Sequence, residues 1–439
     1  MTRGPVAAAL CAWLVGCGPP SVWQGTSPDH RRVFRVEAED GHACVTVDQR
    51  EQRCFEGVSL SRFVFSPDSR SMAFPVQQAG GWTVLRDGRA GPVEDGVGEL
   101  LFSPNGRSLA YTALRSGRWH VVIDGEAGES YDSLFAGTLT FDSSSRRVAY
   151  VAFRQGVAVA VVDGEAGLPM DGIAQLRFSP DGGRVAYVGR RGGRALLTVD
   201  GTPGSAHDAI SEYAFDPSGS GVAYVAAEGS SWYVFSESER LGPYGEARSL
   251  GFRPSDGRLF FIASGEAGER LVGGGEAGPT YHALDPPVFS ARGDRWGYVA
   301  HDSLRSTVIL DGDVVDALAW AGDLVISPDG ERWAYVARRG DADVVMHDRG
   351  VTELDMVVDG TLQFVRNGEL WACLAGDFEG RRLFLHVEGR DEARPFSWSE
   401  LAGVTGSRGG TPVQTSTGLD ALRSWVAAEA ELILAGGGQ

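Results

Sequence analysis

The sequence predicts an all-β fold, built from one four-stranded antiparallel unit that is copied along the chain. Two observations support this. An aromatic or apolar residue that precedes a turn recurs at an almost constant step, and no segment from 27 to 400 keeps the 3.6-residue apolar period of a helix. The 61 glycines among 439 residues agree with many tight turns.

The amino-acid composition excludes or disfavours several classes of function. Apolar residues make up 43% of the chain and charged residues 22%, which excludes wholesale disorder. The net charge of −18 disfavours binding to nucleic acid or to an anionic membrane surface. All 40 basic residues are arginine, so Schiff-base chemistry on lysine and a phosphate-binding lysine are both excluded.

The first residues predict export. Arg3 precedes a short apolar run, Val6 to Val15, which is too short to span a bilayer. The sequence Leu14-Val15-Gly16-Cys17 resembles the bacterial lipoprotein signal, which implies a signal peptide over 1–16, a lipidated Cys17 and a tether over 17–26. Gly18 favours the outer membrane. The alternative is an ordinary signal peptide cleaved elsewhere.

The repeat is anchored by one landmark residue before the first turn of each unit. It occurs at Phe65, Phe102, Phe141, Phe178, Phe215, Phe252, Phe289, Ile326 and Phe364, at steps of 37 to 39 residues. A Ser-Pro-Asp-Gly turn or a relative follows it, then an alternating strand such as Ala186-Tyr187, then Asp-Gly hairpin turns at 124–125, 163–164, 200–201 and 311–312.

Each unit is therefore expected to contain four short strands. In order these are a ("LRF"), b ("GRVAYVGRR"), c ("RALLTV") and a short polar strand d ("ESYDSL" or "PTYHAL"). Four antiparallel strands per 37–39 residues is the spacing of a β-propeller blade. The landmark aromatics are expected to lie buried between blades, so that Phe178→Ala costs roughly 3–5 kcal/mol.

The "FSPDGxxxAYVA" pattern resembles the TolB-type, WD-like propeller repeat, and the "VVDGEAGPxYD" variant resembles bacterial propeller lipoproteins of unknown function. The resemblance implies a propeller over 27–401. The chain departs from TolB itself, because it has no N-terminal α/β domain of that kind and more than six repeats.

Nine complete units can be placed, plus one whose strand a is unclear and falls near Ser21 to Gly25. One large ring is favoured, because no Pro/Ser-rich linker interrupts the repeats; two abutting propellers are the alternative. A linker over 402–416 and a C-terminal helix over 417–439 follow, the helix carrying an apolar stripe at Leu422, Trp425, Val426, Leu432 and Ile433. We expect it to dock on the propeller; a helix that binds a partner or a membrane surface is the alternative.

Three cysteines remain beyond the signal. Cys44 and Cys54 are ten residues apart and can form a disulfide across a hairpin, whereas Cys373 is expected to be a small buried core residue.

No motif indicates catalysis. The sequence lacks GxSxG, HExxH and CxxC patterns, and its eight histidines are scattered. The recurring aspartates occupy places where turn geometry favours them: Asp68, Asp124, Asp163, Asp181, Asp200 and Asp329. We therefore predict no catalytic residue, no metal and no cofactor.

One charge pattern suggests a binding surface. The b–c turns are rich in arginine and the c–d turns in acidic residues, such as Asp124 and Glu126. The arginines that could bind an acidic envelope protein or an anionic polysaccharide are Arg115, Arg118, Arg154, Arg190, Arg191, Arg338 and Arg339. The alternative is local neutralisation by acids of the d–a crossings, namely Asp132, Asp171, Asp208, Asp316 and Asp355.

The sequence thus favours a non-enzymatic, lipid-anchored binding platform at the bacterial cell envelope, with contact to the membrane only through the anchor. The rival is an envelope glycan hydrolase or lyase that uses a central channel. Apolar strand-a residues such as Leu176, Leu250 and Leu362 favour binding, because propeller enzymes place varied polar residues there.

Overall fold

The computed structural model describes residues 22–27, 31–48, 52–78, 80–237, 239–376, 383–389, 394–396, 422–424, 426, 427 and 430. The predicted signal peptide, Cys17 and the linker over 402–416 lie outside the described residues. The chain divides into two compact units, Met1–His207 and Asp208–Gln439, each of which is described by itself.

The first unit contains five antiparallel sheets, each with strands in the order a-b-c-d and each consecutive pair hydrogen-bonded. Strand a of blades 2 and 4 is split into two short pieces. The strands are: blade 1, Trp23–Thr26, Val33–Glu39, His42–Val47 and Arg53–Phe55; blade 2, Gly57–Val58 with Val64–Phe65, Met72–Gln78, Gly81–Arg86 and Arg89–Ala90; blade 3, Gly96–Phe102, Leu109–Arg115, Arg118–Ile123 and Glu126–Ala127; blade 4, Ser133–Leu134 with Thr140–Phe141, Val148–Arg154, Val157–Val162 and Glu165–Ala166; blade 5, Gly172–Phe178, Val185–Arg191, Arg194–Val199 and Thr202–His207.

The second unit repeats this plan in five more sheets, with strand a split in blades 8 and 10. The strands are: blade 6, Ala209–Phe215, Val222–Glu228, Ser231–Phe235 and Arg240–Tyr244; blade 7, Glu246–Phe252, Leu259–Gly265, Gly268–Gly273 and Glu276–Ala277; blade 8, Ala283–Leu284 with Val288–Phe289, Trp296–Asp302, Arg305–Leu310 and Asp313–Leu318; blade 9, Ala321–Ile326, Trp333–Arg339, Ala342–His347 and Gly350–Leu354; blade 10, Met356–Val357 with Gln363–Val365, Leu370–Gly376, Leu383–Val387 and Arg394–Phe396.

The predicted all-β propeller fold is confirmed, with ten four-stranded blades among the described residues. The first blade begins earlier than the expected boundary at 27, because Trp23–Thr26 is its strand a and not part of a tether. The Trp23 ring lies 5.0 Å from Phe34 and 5.5 Å from Phe63, so packing against blades 1 and 2 holds this strand in place.

Strand d differs from the expectation. In "DGEAGESYDSL" it is formed by Glu126–Ala127 directly after the hairpin turn, with one further bridge at Tyr131. Ser133–Leu134 already belongs to strand a of the next blade. The intervening Gly128 donates its N–H to the Val121 carbonyl, which ends the regular ladder and lets the chain cross over.

The landmark aromatics are less buried than expected. Phe102 is 6% exposed, but Phe178 and the other landmarks are only partly buried. Each stands at the end of strand a beside an exposed turn. In three of them a neighbouring arginine covers the ring: Arg86 over Phe102, Arg147 over Phe178 and Arg332 over Phe364. The strand-b tyrosine lies deeper than the landmark of the same blade, as in Tyr187, which is 2% exposed.

Glycine lets this tyrosine fit between blades. A Cβ atom on Gly91 of blade 2 would lie 3.1 Å from the Tyr111 hydroxyl of blade 3, and one on Gly167 would lie 3.6 Å from the Tyr187 hydroxyl. The glycine of the Glu-Ala-Gly pattern is therefore a close-approach residue.

The C-terminal helix is present and docks on blade 10. Of the predicted 417–439, the six described residues are all helical. Leu422, Val426 and Ala430 are buried in one cluster with Leu374 and Leu385. Elsewhere, two three-residue 3₁₀ turns, Leu60–Arg62 and Arg366–Gly368, occur where the sequence predicted no helix.

Candidate functional site

The Ser-Pro-Asp-Gly aspartates are turn residues. The hydroxyls of Ser66, Ser179 and Ser327 donate to Oδ1 of the aspartate two residues later, at 2.5 to 2.6 Å. These hydrogen bonds hold the pKa of Asp68, Asp181 and Asp329 below its usual value. The predicted structural role of these three aspartates is confirmed.

The Asp-Gly aspartates are structural too. Asp163 Oδ1 accepts the N–H of Val148 at 2.9 Å and so caps the first residue of strand b. Asp124 and Asp200 accept the N–H of Leu109 and Val185 in the same way. The backbone of these aspartates is left-handed, which the type of turn at Asp-Gly requires.

These turns also form an arginine–aspartate clamp, in which the residue before strand b ion-pairs with the c–d turn aspartate. The pairs are Arg32–Asp48, Arg147–Asp163, Arg184–Asp200, Arg295–Asp311 and Arg332–Asp348, at 2.6 to 3.0 Å. Arg147 Nη1 also donates to the Gly183 carbonyl of the following blade at 2.9 Å. The acidic c–d turns predicted from the sequence are therefore partly neutralised by these clamps.

The opposite side of each blade carries the b–c turns and the arginines predicted to bind a partner. Three of them are neutralised within the first unit: Arg118 by Asp132 at 3.0 Å, Arg154 by Glu129 at 2.7 Å and Arg115 by Glu94 at 2.6 Å. In blade 9, Arg338 lies 3.4 Å from Asp343 and Arg339 lies 3.9 Å from Glu353.

Arg190 and Arg191 differ from the other five. Both are exposed at the b–c turn of blade 5, and neither has an acidic partner in the part of the chain that the structure describes. Arg190 donates to the Gly193 carbonyl at 3.0 Å. Their guanidinium groups are the ones in the predicted set that no carboxylate neutralises.

The acids of the d–a crossings do not act mainly as arginine partners. Asp132, Asp171 and Asp208 accept the N–H of Gln155, Gly192 and Gly229, at 2.6 to 2.8 Å, in the b–c turn of their own blade. Asp316 accepts the hydroxyl hydrogen of Tyr335 at 2.9 Å, and the Asp355 carbonyl accepts the N–H of Asp343. Of these acids, Asp132 also pairs with one of the predicted arginines.

The sequence did not reveal a buried charged group at Glu94. Its side chain is fully buried and lies 2.6 Å from Arg115 and 3.3 Å from Nε2 of His120, a residue that is 2% exposed. Burial raises the pKa of the neighbouring Tyr111 to about 12. Because a substrate cannot reach a fully buried carboxylate, this group joins blades 2 and 3 and does not form a reaction site.

A second group missed by the sequence lies in blades 9 and 10. Arg332, only 6% exposed, pairs with Asp348 at 2.9 Å and with Glu388 of the next blade at 2.8 Å. Burial lowers the pKa of the adjacent His347. The signal was present in the repeat, because Glu388-Gly389 replaces the usual Asp-Gly turn.

Strand a is more varied than Leu176, Leu250 and Leu362 suggested. The residue before each of these positions differs between blades: Arg62, Glu99, Thr138, Gln175, Glu212, Ser249, Asp323 and Thr361. Glu99 accepts the N–H of Gly137 at 3.0 Å and Arg62 donates to the Val97 carbonyl at 2.6 Å, both in the next blade. Burial raises the pKa of Asp323, which accepts the N–H of Gly360.

The cysteines follow their sequence assignment. Cys44 and Cys54 face each other across strands c and d of blade 1 and form a disulfide. Cys373 is fully buried, which raises the pKa of its thiol. The one cluster of metal-ligand side chains among the described residues, Glu39 with this disulfide, offers no free thiolate.

A cavity of about 510 Å³ lies between blades 1 and 2 on the c–d side. Phe55, Met72 and Leu85 are among its apolar lining residues. Two of its three arginines already serve the fold, because Arg32 belongs to a clamp and Arg53 donates to the Gly88 carbonyl at 3.0 Å.

No family model and no curated protein matches this sequence. Among solved structures it is similar to one titled "Crystal structure of the eukaryotic initiation factor", at 12% identity over 83% of this chain and 96% of that chain, with a TM-score of 0.42. It is similar to a TolB protein from Agrobacterium tumefaciens at 15% identity over 44% and 84%, with a TM-score of 0.27. It is also similar to the dihydro-heme d1 dehydrogenase NirN at 14% identity over 64% and 71%, with a TM-score of 0.36.

None of these similarities assigns an activity or a partner to this chain. Among the described residues, no helix has the length and apolar character needed to cross a membrane.

Proposed function

We propose that this chain is a non-enzymatic, lipid-anchored binding platform of a bacterial cell envelope, whose blade 5 edge binds an acidic segment of a partner protein. The observation that supports it is the pair Arg190 and Arg191. Both are exposed, both lie at one turn, and no acid among the described residues neutralises them. Two adjacent guanidinium forks suit carboxylates, which they can bind through two parallel hydrogen bonds.

The other b–c arginines support this choice by contrast. Arg118 and Arg154 have carboxylate partners at 3.0 and 2.7 Å, so a ligand would have to displace an existing ion pair to use them. The signal peptide predicted over 1–16, followed by Cys17, supports the envelope location, and the Cys44–Cys54 disulfide suits an oxidising compartment.

Crosslinked capture from envelope membranes of the source bacterium tests this proposal. The expected result is recovery of a partner with an acidic segment, lost at high salt because exposed charge contacts are screened. Recovery of an anionic polysaccharide instead would show that the ligand is a polysaccharide and not a protein. Capture that does not change in the Arg190→Ser/Arg191→Ser variant would contradict the assigned surface.

An enzyme remains the second candidate, because Asp323 combines a raised pKa with partial burial in strand a. Its Oδ2 accepts the Gly360 N–H, a contact between blades 9 and 10 that favours a structural role. A structure soaked with envelope glycan fragments, together with metal analysis of the purified chain, tests this alternative. Sugar or metal bound at Asp323 would favour the enzyme.

A further inference from the structure

The arginine–aspartate clamps show which group the space between two blades accepts on the c–d side. In blade 4 the guanidinium of Arg147 makes four contacts, of which the weakest hydrogen bond is from Nη1 to the Gly182 carbonyl at 3.5 Å. It pairs with Asp163 at 2.8 Å, its Cζ lies 5.2 Å from the centre of the Phe178 ring, and Nη1 donates to the Gly183 carbonyl at 2.9 Å. A carboxylate, an aromatic face and a carbonyl of the next blade thus surround one guanidinium.

The same place between blades 6 and 7 lacks the arginine. Gly221 stands directly before strand b, where Arg147 and Arg184 stand in blades 4 and 5. Glu237 follows sixteen residues later, the spacing that separates Arg147 from Asp163. The carboxylate position of the clamp is retained, while its guanidinium position is occupied by a residue without a side chain.

A cavity of about 310 Å³ opens at this place. Its lining includes counterparts of three groups that touch Arg147: Glu237 for Asp163, Phe252 for Phe178 and Gly257 for Gly183. Glu239 adds a second carboxylate. Leu241, Leu259 and Phe261 supply apolar walls, against which a methylene stem can pack.

We propose that this cavity, the blade 6–7 pocket, binds an arginine side chain of a partner protein. The guanidinium would take the position that clamp arginines occupy in other blades, over the Phe252 ring and beside the Glu237 carboxylate. Arginine fits better than lysine, because its planar group stacks on an aromatic face and forms two parallel bonds to a carboxylate. The site lies on the c–d side of its blades and is independent of the proposed role of Arg190 and Arg191.

A labelled acetyl-Gly-Arg-Gly-amide peptide, titrated into the purified chain, tests the pocket. The matched probe replaces arginine by citrulline, which has nearly the same shape but no charge. We expect citrulline to bind at least about tenfold more weakly, since hydrogen bonds between charged groups are roughly twice as strong as neutral ones. Glu237→Gln should weaken arginine binding by a similar factor. Glu165→Gln removes one exposed acid from the start of strand d in blade 4 and should leave binding unchanged.

Gly221→Arg is the second variant, because it supplies the missing guanidinium from within the chain. The backbone at Gly221 is not left-handed, and the nearest obstacle to a Cβ is Oδ2 of Asp216 at 2.8 Å, the end of a side chain that can rotate. We expect Gly221→Arg to abolish peptide binding and to raise Tm. Equal binding of the arginine and citrulline peptides would overturn the proposal, as would undiminished binding to a folded Gly221→Arg chain. If that variant does not fold, the comparison of Glu237→Gln with Glu165→Gln decides.

Discussion

The Nε atom of Arg147 lies 2.8 Å from Oδ2 of Asp163, and the same guanidinium donates to the Gly183 carbonyl in the next blade. One side chain thus joins the c–d turn of its own blade to the a–b turn of its neighbour. Because this arrangement recurs in both units, it belongs to the architecture of the repeat and does not mark a binding site.

Removing this clamp at an exposed site should have a small effect. Both side chains of the Arg147–Asp163 pair are about a third exposed or more, so we expect Arg147→Ala to cost about 1 kcal/mol. Arg107→Ala changes an exposed arginine whose side chain makes no clamp and should cost less than about 0.5 kcal/mol. Urea unfolding measures both. Equal losses in the two variants would show that the clamp contributes nothing.

Removing the clamp at its buried site should cost more. Arg332 is 6% exposed and holds both Asp348 and Glu388, so Arg332→Ala leaves these two carboxylates with only the more exposed Arg349, at 3.8 and 3.9 Å, as an arginine partner. We expect a loss of roughly 3–5 kcal/mol in the free energy of unfolding. Adding Glu388→Gln to the Arg332→Ala variant should recover part of the lost free energy of unfolding, because it removes the charge of one of the two carboxylates. A loss no larger than that of Arg147→Ala would contradict the structural burial of this pair.

The landmark phenylalanines should differ in energy as they differ in burial. Phe102 is 6% exposed, and Phe102→Ala should cost roughly 3–5 kcal/mol. Phe178 is only partly buried, so Phe178→Ala should cost about half as much. Paired thermal or urea unfolding checks this order. A Phe178→Ala loss equal to or larger than that of Phe102→Ala would be inconsistent with the packing described.

Gly91 should be intolerant of a methyl group. A Cβ there lies 3.1 Å from the Tyr111 hydroxyl, so we expect Gly91→Ala to destabilise by about 1–2 kcal/mol. Gly172, which has nothing within 4 Å of a Cβ, provides the control, and Gly172→Ala should be neutral or slightly stabilising. Tyr111→Phe should rescue Gly91→Ala, because it removes the obstructing hydroxyl, which is buried and has no hydrogen-bond partner among the described residues. If Tyr111→Phe does not rescue Gly91→Ala, the Tyr111 hydroxyl is not the group that obstructs the added methyl.

Acid should destabilise the fold. Serine hydroxyls hold the pKa of Asp68, Asp181 and Asp329 low, and Arg253 lowers the pKa of Asp256 to about 2. An unfolded aspartate titrates near ~3.9, so the unfolded chain binds more protons than the folded chain between about pH 4 and about pH 2. Stability is therefore expected to fall as the pH is lowered through this window.

The urea midpoint at pH 5 and pH 3 measures this effect. Asp181→Asn removes one of the carboxyls with a lowered pKa, so its midpoint should drop less between the two pH values than that of the original chain. A midpoint that is constant or rises on acidification would contradict the assigned hydrogen bonds.

Most of the fold could be predicted from the repeated sequence motifs. Turn residues with strict backbone demands, such as Asp163-Gly164, recur at one spacing and identify the strands between them. The strand-d boundary and the start of blade 1 at Trp23 could not be predicted this way, because they depend on which chain pairs with which neighbour. The burial of Phe178 likewise depends on an arginine 31 residues earlier in the chain.

The candidate site was only partly visible in the sequence. A basic b–c turn can be recognised from Arg118 or Arg190 alike, but only coordinates show that Asp132 neutralises the first. In the sequence, the blade 6–7 pocket is marked by Gly221, which stands in the position of a clamp arginine while a carboxylate is retained at Glu237. The significance of this glycine can be recognised only once the clamp is known, because the clamp is a contact between blades and not a sequence motif.

The measurement that tests the proposed function most directly is titration of the purified chain with a labelled poly-glutamate peptide. Arg190→Ser/Arg191→Ser is compared with Arg118→Ser/Arg154→Ser, which removes the same charge from arginines that already have acidic partners. The account predicts that the first variant loses at least about tenfold in affinity, since each charged hydrogen bond contributes ~1.5–3 kcal/mol, and that the second changes little. Equal affinity of both variants and the original chain would contradict it.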